Sequence, residues 1–157
     1  MKGYKEIILQ VGDIYKWLDD QRIGRGPTAG VCEVCGKCCD FKTYGHRLYV
    51  ATPEMVYFAD KLGSRDFRQM TTGRCPYQFD GKCTVYPYRF AGCRIFCCKG
   101  EAGFQSDLTE AAVKKFRAIC EKFQIPYRYI ELVEALKDVL VNIGQSADIP
   151  SAGGRAD

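Results

Sequence analysis

Long hydrophobic runs are absent from this sequence of 157 residues. A membrane helix needs about 20 consecutive apolar residues, and no segment approaches that length. The opening stretch, M-K-G-Y-K-E-I-I-L-Q-V-G-D, has neither the apolar core nor the small-residue cleavage site of a secretory signal. We therefore expect a cytoplasmic protein that does not enter a membrane.

A strong charge of either sign is also missing. The formal net charge of +4 counts every cysteine as a neutral thiol. Four thiolates around one dication would lower this charge by about two, so the basicity gives little support to nucleic-acid binding. The sequence has no recognisable nucleic-acid motif, and its glycines lack the phosphate-loop pattern of a nucleotide site. We expect no nucleic-acid partner.

Cysteine, in contrast, is abundant, with ten residues. A quartet lies in the run V-C-E-V-C-G-K-C-C-D and comprises Cys32, Cys35, Cys38 and Cys39. The later candidates are Cys75, Cys83, Cys93, Cys97 and Cys98. In a reducing cytosol this density favours metal ligation over disulfides. The tenth, Cys120, lies apart in a helical pattern, and we interpret it as a buried structural thiol.

The spacing Cys32-x-x-Cys35-x-x-Cys38 is a common way to hold a cubane iron–sulfur cluster when one remote cysteine completes the set. Cys75, which precedes Pro76, suits that fourth position. The same four thiols could also close a tetrahedral zinc site. Spacing alone does not separate the two metals.

Cys38 and Cys39 are adjacent, as are Cys97 and Cys98. Neighbouring side chains diverge in regular secondary structure, so we expect the members of a pair to serve different metals or different irons of one cluster. One division groups Cys32, Cys35, Cys38 and Cys75 at one metal, and Cys39, Cys83, Cys93 and Cys97 at another.

Three linked motifs, C-x-x-C-G-x-C-C, C-P-Y-Q-F-D-G-K-C-T-V-Y and R-x-x-x-C-R-I-F, span roughly residues 30–98. They resemble the CxxCxxCC (YkgJ-type) cysteine-cluster family, whose members are described as zinc- or iron-chelating proteins. The resemblance implies metal-ligand roles for Cys32, Cys35, Cys38, Cys39, Cys75, Cys83 and Cys93. It also matches polar positions at Tyr86, Arg89 and Arg94. The family usually has proline where this chain has Phe90, and the resemblance implies little about reaction chemistry.

The polar candidates each allow two interpretations. Arg89 and Arg94, which flank Cys93, could offset the negative charge of a thiolate site or form structural ion pairs. Tyr86 could donate a hydrogen bond to a sulfur or simply pack. His46 could be a ligand, an acid or a base, but we expect an exposed loop histidine because no motif surrounds it.

Helical periodicity predicts four helices. The first covers residues 3–22 and is stopped by residues 24–27, and the second covers residues 52–62, where Thr52-Pro53 suits a helix start. Asp107 and Glu110 form a capping box for the third helix. Pro126 opens the fourth, with Ile130 among its inward residues, and Gly144 closes it. Asp80-Gly81 predicts a tight turn between Cys75 and Cys83.

We therefore predict a single, mainly α domain over residues 1–157, with about four helices around a cysteine-rich metal-binding loop region and little strand. The metal core is expected at about residues 30–98, the C-terminal helices at about 108–143, and a flexible tail at 145–157. We expect removal of the metal to unfold residues 24–50 and 64–104, which contain few continuous apolar faces.

The favoured function is iron–sulfur binding, with 4Fe–4S as the expected cluster and an electron-transfer or accessory redox role beside an unidentified partner. The alternative is a zinc-stabilised structural or interaction module without catalysis. No reaction can be assigned from these residues.

Overall fold

The computed structural model describes the backbone of residues 3–147 and the side chains of residues 3–143. Within that range the chain is mainly α with little strand, as predicted. The α-helices are α1 (Tyr4–Arg25), α2 (Phe41–Tyr44), α3 (Thr52–Leu62), α4 (Ala91–Ile95), α5 (Ala102–Phe123) and α6 (Leu132–Ala147). The strands are β1 (Tyr49–Ala51), β2 (Gln78–Phe79), β3 (Lys82–Cys83) and β4 (Tyr129–Glu131).

The long helices α1, α3, α5 and α6 correspond to the four predicted ones. The short helices α2 and α4 were not predicted, because four or five residues are too few to show a helical period. Among the described residues, no helix combines the length and apolar character needed to cross a membrane.

The first hydrophobic core lies between α1 and α5. Ile7, Val11 and Leu18 of α1 are fully buried, and they recur at the spacing that puts them on one helix face. Phe116 and Ile119 of α5 pack in the same cluster. No cysteine contributes to this buried cluster, so the α1–α5 pair has a core independent of the sulfur atoms.

The second hydrophobic core surrounds Phe58 of α3. Its ring lies 4.7 Å from the ring of Phe90 and 5.2 Å from that of Tyr77, measured between centroids. Leu132 and Leu136 of α6 close the other side. Three half-buried cysteines pack against this cluster, namely Cys75, Cys83 and Cys93. The cysteine-rich loops are therefore attached to the second core.

The β1–β4 pair changes the start of the last helix. Pro126 does not open α6, which begins at Leu132, and Ile130 pairs with Val50 in the antiparallel ladder. Ladder hydrogen bonds to β1 therefore hold this segment extended, against its helical pattern. At the other end α6 continues through Gly144, since an interior glycine costs a helix only about 1 kcal/mol.

The predicted tail begins inside this helix. Residues 145–147 belong to α6. The rest of the predicted tail, residues 148–157, lies outside the described residues.

Two other helix boundaries differ from the prediction. α1 continues through Gly24 to Arg25, and α5 begins at Ala102, so Asp107 lies inside the helix and caps nothing. The start of α5 is set by tertiary contacts instead. The Glu101 N–H donates to the Thr28 carbonyl at 2.9 Å, which ties the helix start to the loop after α1.

Candidate metal centre

The second half of the cysteine quartet is joined to the segment that carries Cys75. The Cys75 N–H donates to the Cys39 carbonyl at 2.8 Å, and the Arg74 guanidinium binds the Asp40 carboxylate at 3.1 Å. Asp40 also caps α2 by accepting from the Thr43 N–H. Two stretches joined by contacts that span 34 residues between Asp40 and Arg74 are thus held side by side.

The β2–β3 hairpin completes this arrangement. Its turn residues Asp80 and Gly81 both have positive φ, the conformation of a tight two-residue hairpin turn, so the predicted turn is confirmed. The Gln78 side chain donates to the Gly36 carbonyl at 2.6 Å. Gly36 lies so close that a Cβ there would overlap the Gly81 carbonyl oxygen. The quartet loop therefore rests directly on the hairpin.

Five cysteines influence one another electrostatically, and we call them the inner cluster: Cys38, Cys39, Cys75, Cys83 and Cys93. Burial raises the pKa of Cys93, and the charges of Cys75, Cys83 and Cys38 raise it further. The pKa of Cys83 is raised by burial and also by Cys38. The charges on these cysteines repel one another, which indicates that four separate segments bring their sulfurs to one place.

The adjacent pair Cys38 and Cys39 does not diverge as expected for regular structure. Both lie in a 3₁₀ turn, Lys37–Cys39, and their side chains are hydrogen-bonded to each other. This hydrogen bond lowers the pKa of Cys38 to about 6 and raises that of Cys39 well above its ordinary value. The tight turn therefore directs two neighbouring thiols to the same cluster.

Backbone N–H groups point at two of the sulfurs. Burial raises the pKa of Cys75 to about 11, while hydrogen bonds from the backbone of Tyr77 and Gln78 act to lower it. The backbone of Val85 does the same for Cys83. Such donors stabilise a thiolate, and they orient cysteine ligands in metal sites.

The donor chemistry of the inner cluster fits a thiolate-bound metal, because it combines five free thiols, backbone N–H donors and an apolar wall. In the described part of the chain, no three His, Cys, Asp or Glu side chains stand in positions that would hold a metal ion as they are. The inner cluster therefore suits a metal through the chemical type of its donors and through their common location.

The remaining predicted ligands, Cys32, Cys35 and Cys97, lie on two other stretches. Cys32 and Cys35 are exposed. Cys97 is buried, and Cys98, which directly follows it, is exposed. The division expected from the sequence combined Cys32, Cys35, Cys38 and Cys75 at one metal. Cys38 interacts electrostatically with Cys75, as in that division, and also with Cys39.

Arg94 is committed to the helical frame. Its guanidinium binds the Asp19 carboxylate at 2.8 Å and donates to the carbonyls of Arg89 and Pro87 at 2.9 and 3.0 Å. Its cationic centre also lies 4.3 Å from the centroid of the Tyr15 ring. These contacts correspond to the structural ion-pair interpretation of Arg94.

Arg89 has a different environment. Its guanidinium lies 3.9 Å from the centroid of the Tyr86 ring, and its charge acts to lower the pKa of Cys83, which burial raises. Arg89 is therefore placed to stabilise the Cys83 thiolate. Tyr86 is 42% exposed, packs under Arg89 and accepts a hydrogen bond from it through its backbone carbonyl.

His46 is not the exposed loop residue expected from the sequence. Its half-buried ring lies 5.2 Å from each of the rings of Phe41 and Phe96, and its buried Nε2 has no hydrogen-bond partner among the described residues. The interpretation of Cys120 is confirmed, since that thiol is 1% exposed in α5.

Sequence reasoning missed Glu54, which is buried beside the cysteine-rich region. Its carboxylate accepts from the N–H groups of Ala51 and Ala91 at 2.8 and 2.7 Å, and from the Tyr15 hydroxyl at 3.0 Å. The only sequence signal was its place three residues after the N-cap of α3, which suits a capping glutamate.

Comparison with family models, curated proteins and solved structures gives no match. The resemblance to the CxxCxxCC family therefore rests on the cysteine motifs themselves.

Proposed function

We propose that the protein binds an iron–sulfur cluster through the inner cluster and has an electron-transfer or accessory redox role. The observation that carries this proposal is the convergence of five thiols from four segments in one half-buried group. Cysteine-only ligation is typical of 4Fe–4S and 2Fe–2S centres. All ten cysteines carry free thiols, which suits a reducing compartment such as the cytoplasm.

The protein's own residues would perform three tasks at such a centre. The cysteines bind as thiolates, and the N–H groups of Tyr77, Gln78 and Val85 offset the negative charge on sulfur. Arg89 adds a positive charge beside Cys83. The bound cluster would supply one-electron chemistry, and the five cysteines that would hold it are partly exposed.

A zinc-stabilised structural module is the second candidate, and the hairpin favours it. β2 and β3 have only two residues each, and an isolated pair of strands is at best marginally stable in water. Cys75 precedes this hairpin and Cys83 lies in its second strand. A closed tetrahedral thiolate site would fix the hairpin to the quartet loop without any catalysis.

Metal and acid-labile sulfide analysis of anaerobically purified protein tests the proposal. We expect iron and sulfide in similar amounts, with the broad visible absorbance of an iron–sulfur cluster, and loss of both in Cys83→Ser. Cys120→Ala, which also removes one cysteine, should retain them. Zinc at this site without sulfide would support the structural module instead, and absence of any metal would contradict both candidates.

A further inference from the structure

Positive charge is concentrated in the two segments that hold the nine clustered cysteines. Residues 31–47 and 64–99 contain ten Lys and Arg against four Asp and Glu, a net charge of +6. The rest of the chain contains thirteen against fifteen, a net charge of −2. The excess of cations therefore lies around the candidate metal centre and not on the four long helices.

The β2–β3 hairpin has one face toward the quartet loop and one face in solvent. Gln78 and Cys83 are paired across the hairpin, where Gln78 donates to the Gly36 carbonyl and Cys83 belongs to the inner cluster. Phe79 and Lys82 form the neighbouring pair, and side chains alternate between the two faces along a strand. Both of these side chains are exposed. They therefore lie on the back of the strand that supplies Cys83.

Three exposed cations lie around this hairpin. Lys82 is in β3 itself, and Lys37 follows Gly36, which rests against the hairpin turn. The Arg68 guanidinium donates to the Pro76 carbonyl at 3.5 Å, at the base of the hairpin. None of the three cations forms an ion pair with a residue that the structure describes. Their charges are therefore available to a partner.

Phe79 provides an apolar centre among these cations. Its side chain is 73% exposed, more than that of any other Phe, Tyr or Trp among the described residues. The only acidic residue between Cys75 and Cys83 is Asp80, in the turn. An aromatic side chain inside a polar, charged rim is the usual arrangement of a protein–protein interface. The hairpin therefore has the composition of a docking surface for a protein of opposite charge.

We propose that this hairpin surface, formed by Phe79, Lys82, Lys37 and Arg68, docks an acidic electron-transfer protein whose own redox centre is surrounded by Asp and Glu side chains. The choice of a redox partner rests on the proposed iron–sulfur function. Carboxylates of the partner pair with the three cations, and its apolar centre covers Phe79. Docking at this face places the partner against the strand that supplies Cys83.

The reaction across this surface is the transfer of one electron. The reduced centre of the partner loses one electron and the oxidised cluster gains it, with no bond formed or broken and no proton moved. Opposite charges speed the encounter, and this gain falls as the ionic strength rises. Transient electron-transfer complexes bury less than about 1,200 Å², so a surface of a few residues is sufficient.

Binding of plant-type ferredoxin, an acidic iron–sulfur protein, to the purified holoprotein tests this surface. At low ionic strength we expect Lys37→Glu/Lys82→Glu to weaken binding about tenfold or more, and Phe79→Ser to weaken it by a similar factor. Lys5→Glu/Lys114→Glu makes the same change of charge on exposed lysines of α1 and α5, and should bind within about twofold of the wild type. Titration calorimetry with oxidised ferredoxin measures the affinities, and stopped-flow absorbance with reduced ferredoxin measures the electron transfer.

Metal and sulfide analysis of the same samples separates this proposal from the iron–sulfur function. Iron and sulfide in every variant, with equal affinities for the hairpin variants and the control or with no binding by the wild type, would overturn the docking surface alone. Hairpin-dependent binding by a protein that holds only zinc would retain the acidic partner and overturn the electron transfer.

A uridine oligonucleotide gives the competing outcome. If it binds the wild type, fails to bind Lys37→Glu/Lys82→Glu, and ferredoxin binds neither protein, the surface belongs to RNA and the proposal is wrong. Binding of ferredoxin with no binding of the oligonucleotide supports the protein partner.

Discussion

A single buried carboxylate, that of Glu54, joins three helices at the edge of the cysteine-rich region. It accepts hydrogen bonds from Tyr15 of α1, from Ala51 before α3 and from Ala91 at the start of α4. The side chain is 1% exposed, so none of these donors has water as a substitute. Its contribution to stability therefore depends on both oxygens accepting hydrogen bonds, which the oxygens of a carboxylic acid can also do and an amide nitrogen cannot.

Replacement of Glu54 by glutamine should destabilise the fold by about 1–3 kcal/mol. The amide oxygen can serve Tyr15 and Ala91, but the amide nitrogen would then face the Ala51 N–H, donor against donor. Urea denaturation measures the loss. Glu110→Gln, an exposed change of the same kind in α5, should leave the free energy of unfolding nearly unaltered. Equal stability of the two variants would contradict this role of Glu54.

The same carboxyl gives a pH dependence of defined sign. Burial raises the pKa of Glu54 above its ordinary value of 4.5, although the Arg94 charge and the three donors act to lower it. The folded state therefore binds this proton more tightly than the unfolded state. The stability of the wild type relative to Glu54→Gln should be greatest below about pH 4.5 and fall as the pH rises through the folded-state pKa. If the unfolding free energies of the two proteins change in parallel with pH, the raised pKa of Glu54 is contradicted.

At the level of elements, the quartet loop and the hairpin form one unit through contacts of the backbone. The Cys39 carbonyl accepts from Cys75, and the Gly36 carbonyl accepts from Gln78. The hairpin segment is also anchored in the second core by the buried residues Tyr77 and Val85. The close approach at Gly36 therefore sets how the quartet loop lies on the hairpin.

Gly36→Ala should lower both stability and metal retention. Gly36 and Gly45 both have positive φ, so alanine at either position carries a left-handed cost of about 1–2 kcal/mol. A Cβ at Gly36 would also overlap the Gly81 carbonyl, whereas a Cβ at Gly45 meets no atom within 4 Å. Gly45→Ala is thus the matched control. Thermal melting and metal content measure the difference, and equal metal retention by the two variants would contradict the proposed contact.

At the scale of the whole molecule, the two hydrophobic cores differ in how they depend on sulfur. The core between α1 and α5 is built from aliphatic and aromatic side chains, whereas Cys75, Cys83 and Cys93 pack against the core around Phe58. Helices α1 and α5 can therefore remain folded when the cysteine loops do not.

Chelation of the metal should loosen part of the middle of the chain. Val50 and Ile95 are buried in the two cores, so the regions expected from the sequence to unfold, residues 24–50 and 64–104, contain well-packed positions. We expect hydrogen exchange to increase at residues 31–40 and 72–86, while α1 and α5 stay protected. An equal increase in hydrogen exchange across the described chain, or no increase at any residue, would show that this division between the two cores is wrong.

The elements that could be predicted are those whose signal is local. The 3.6-residue period identified α1 and α3, and Asp80-Gly81 identified the hairpin turn, because both depend on neighbouring residues. Pro126 and the Asp107–Glu110 pair were misleading. The β1–β4 ladder and the Thr28–Glu101 hydrogen bond set those boundaries, and such contacts leave no local pattern.

Arg89 and Arg94 illustrate the same limit at the candidate site. They are one residue type, five positions apart, yet one lies beside Cys83 and the other is bound to Asp19 of α1. The positions of the two arginines relative to Cys93 in the sequence do not distinguish their roles. The packing of α4 against α1 does, because it brings Arg94 to Asp19.

The amino-acid sequence alone determined that the chain is mainly α and concentrates thiols in two stretches, since helical period and residue type are local properties. Only the tertiary structure decided which thiols meet. Backbone hydrogen bonds between segments about 35 to 70 residues apart join Cys39 to Cys75 and the loop after α1 to the start of α5. Contacts at that range arise from the closure of the whole fold.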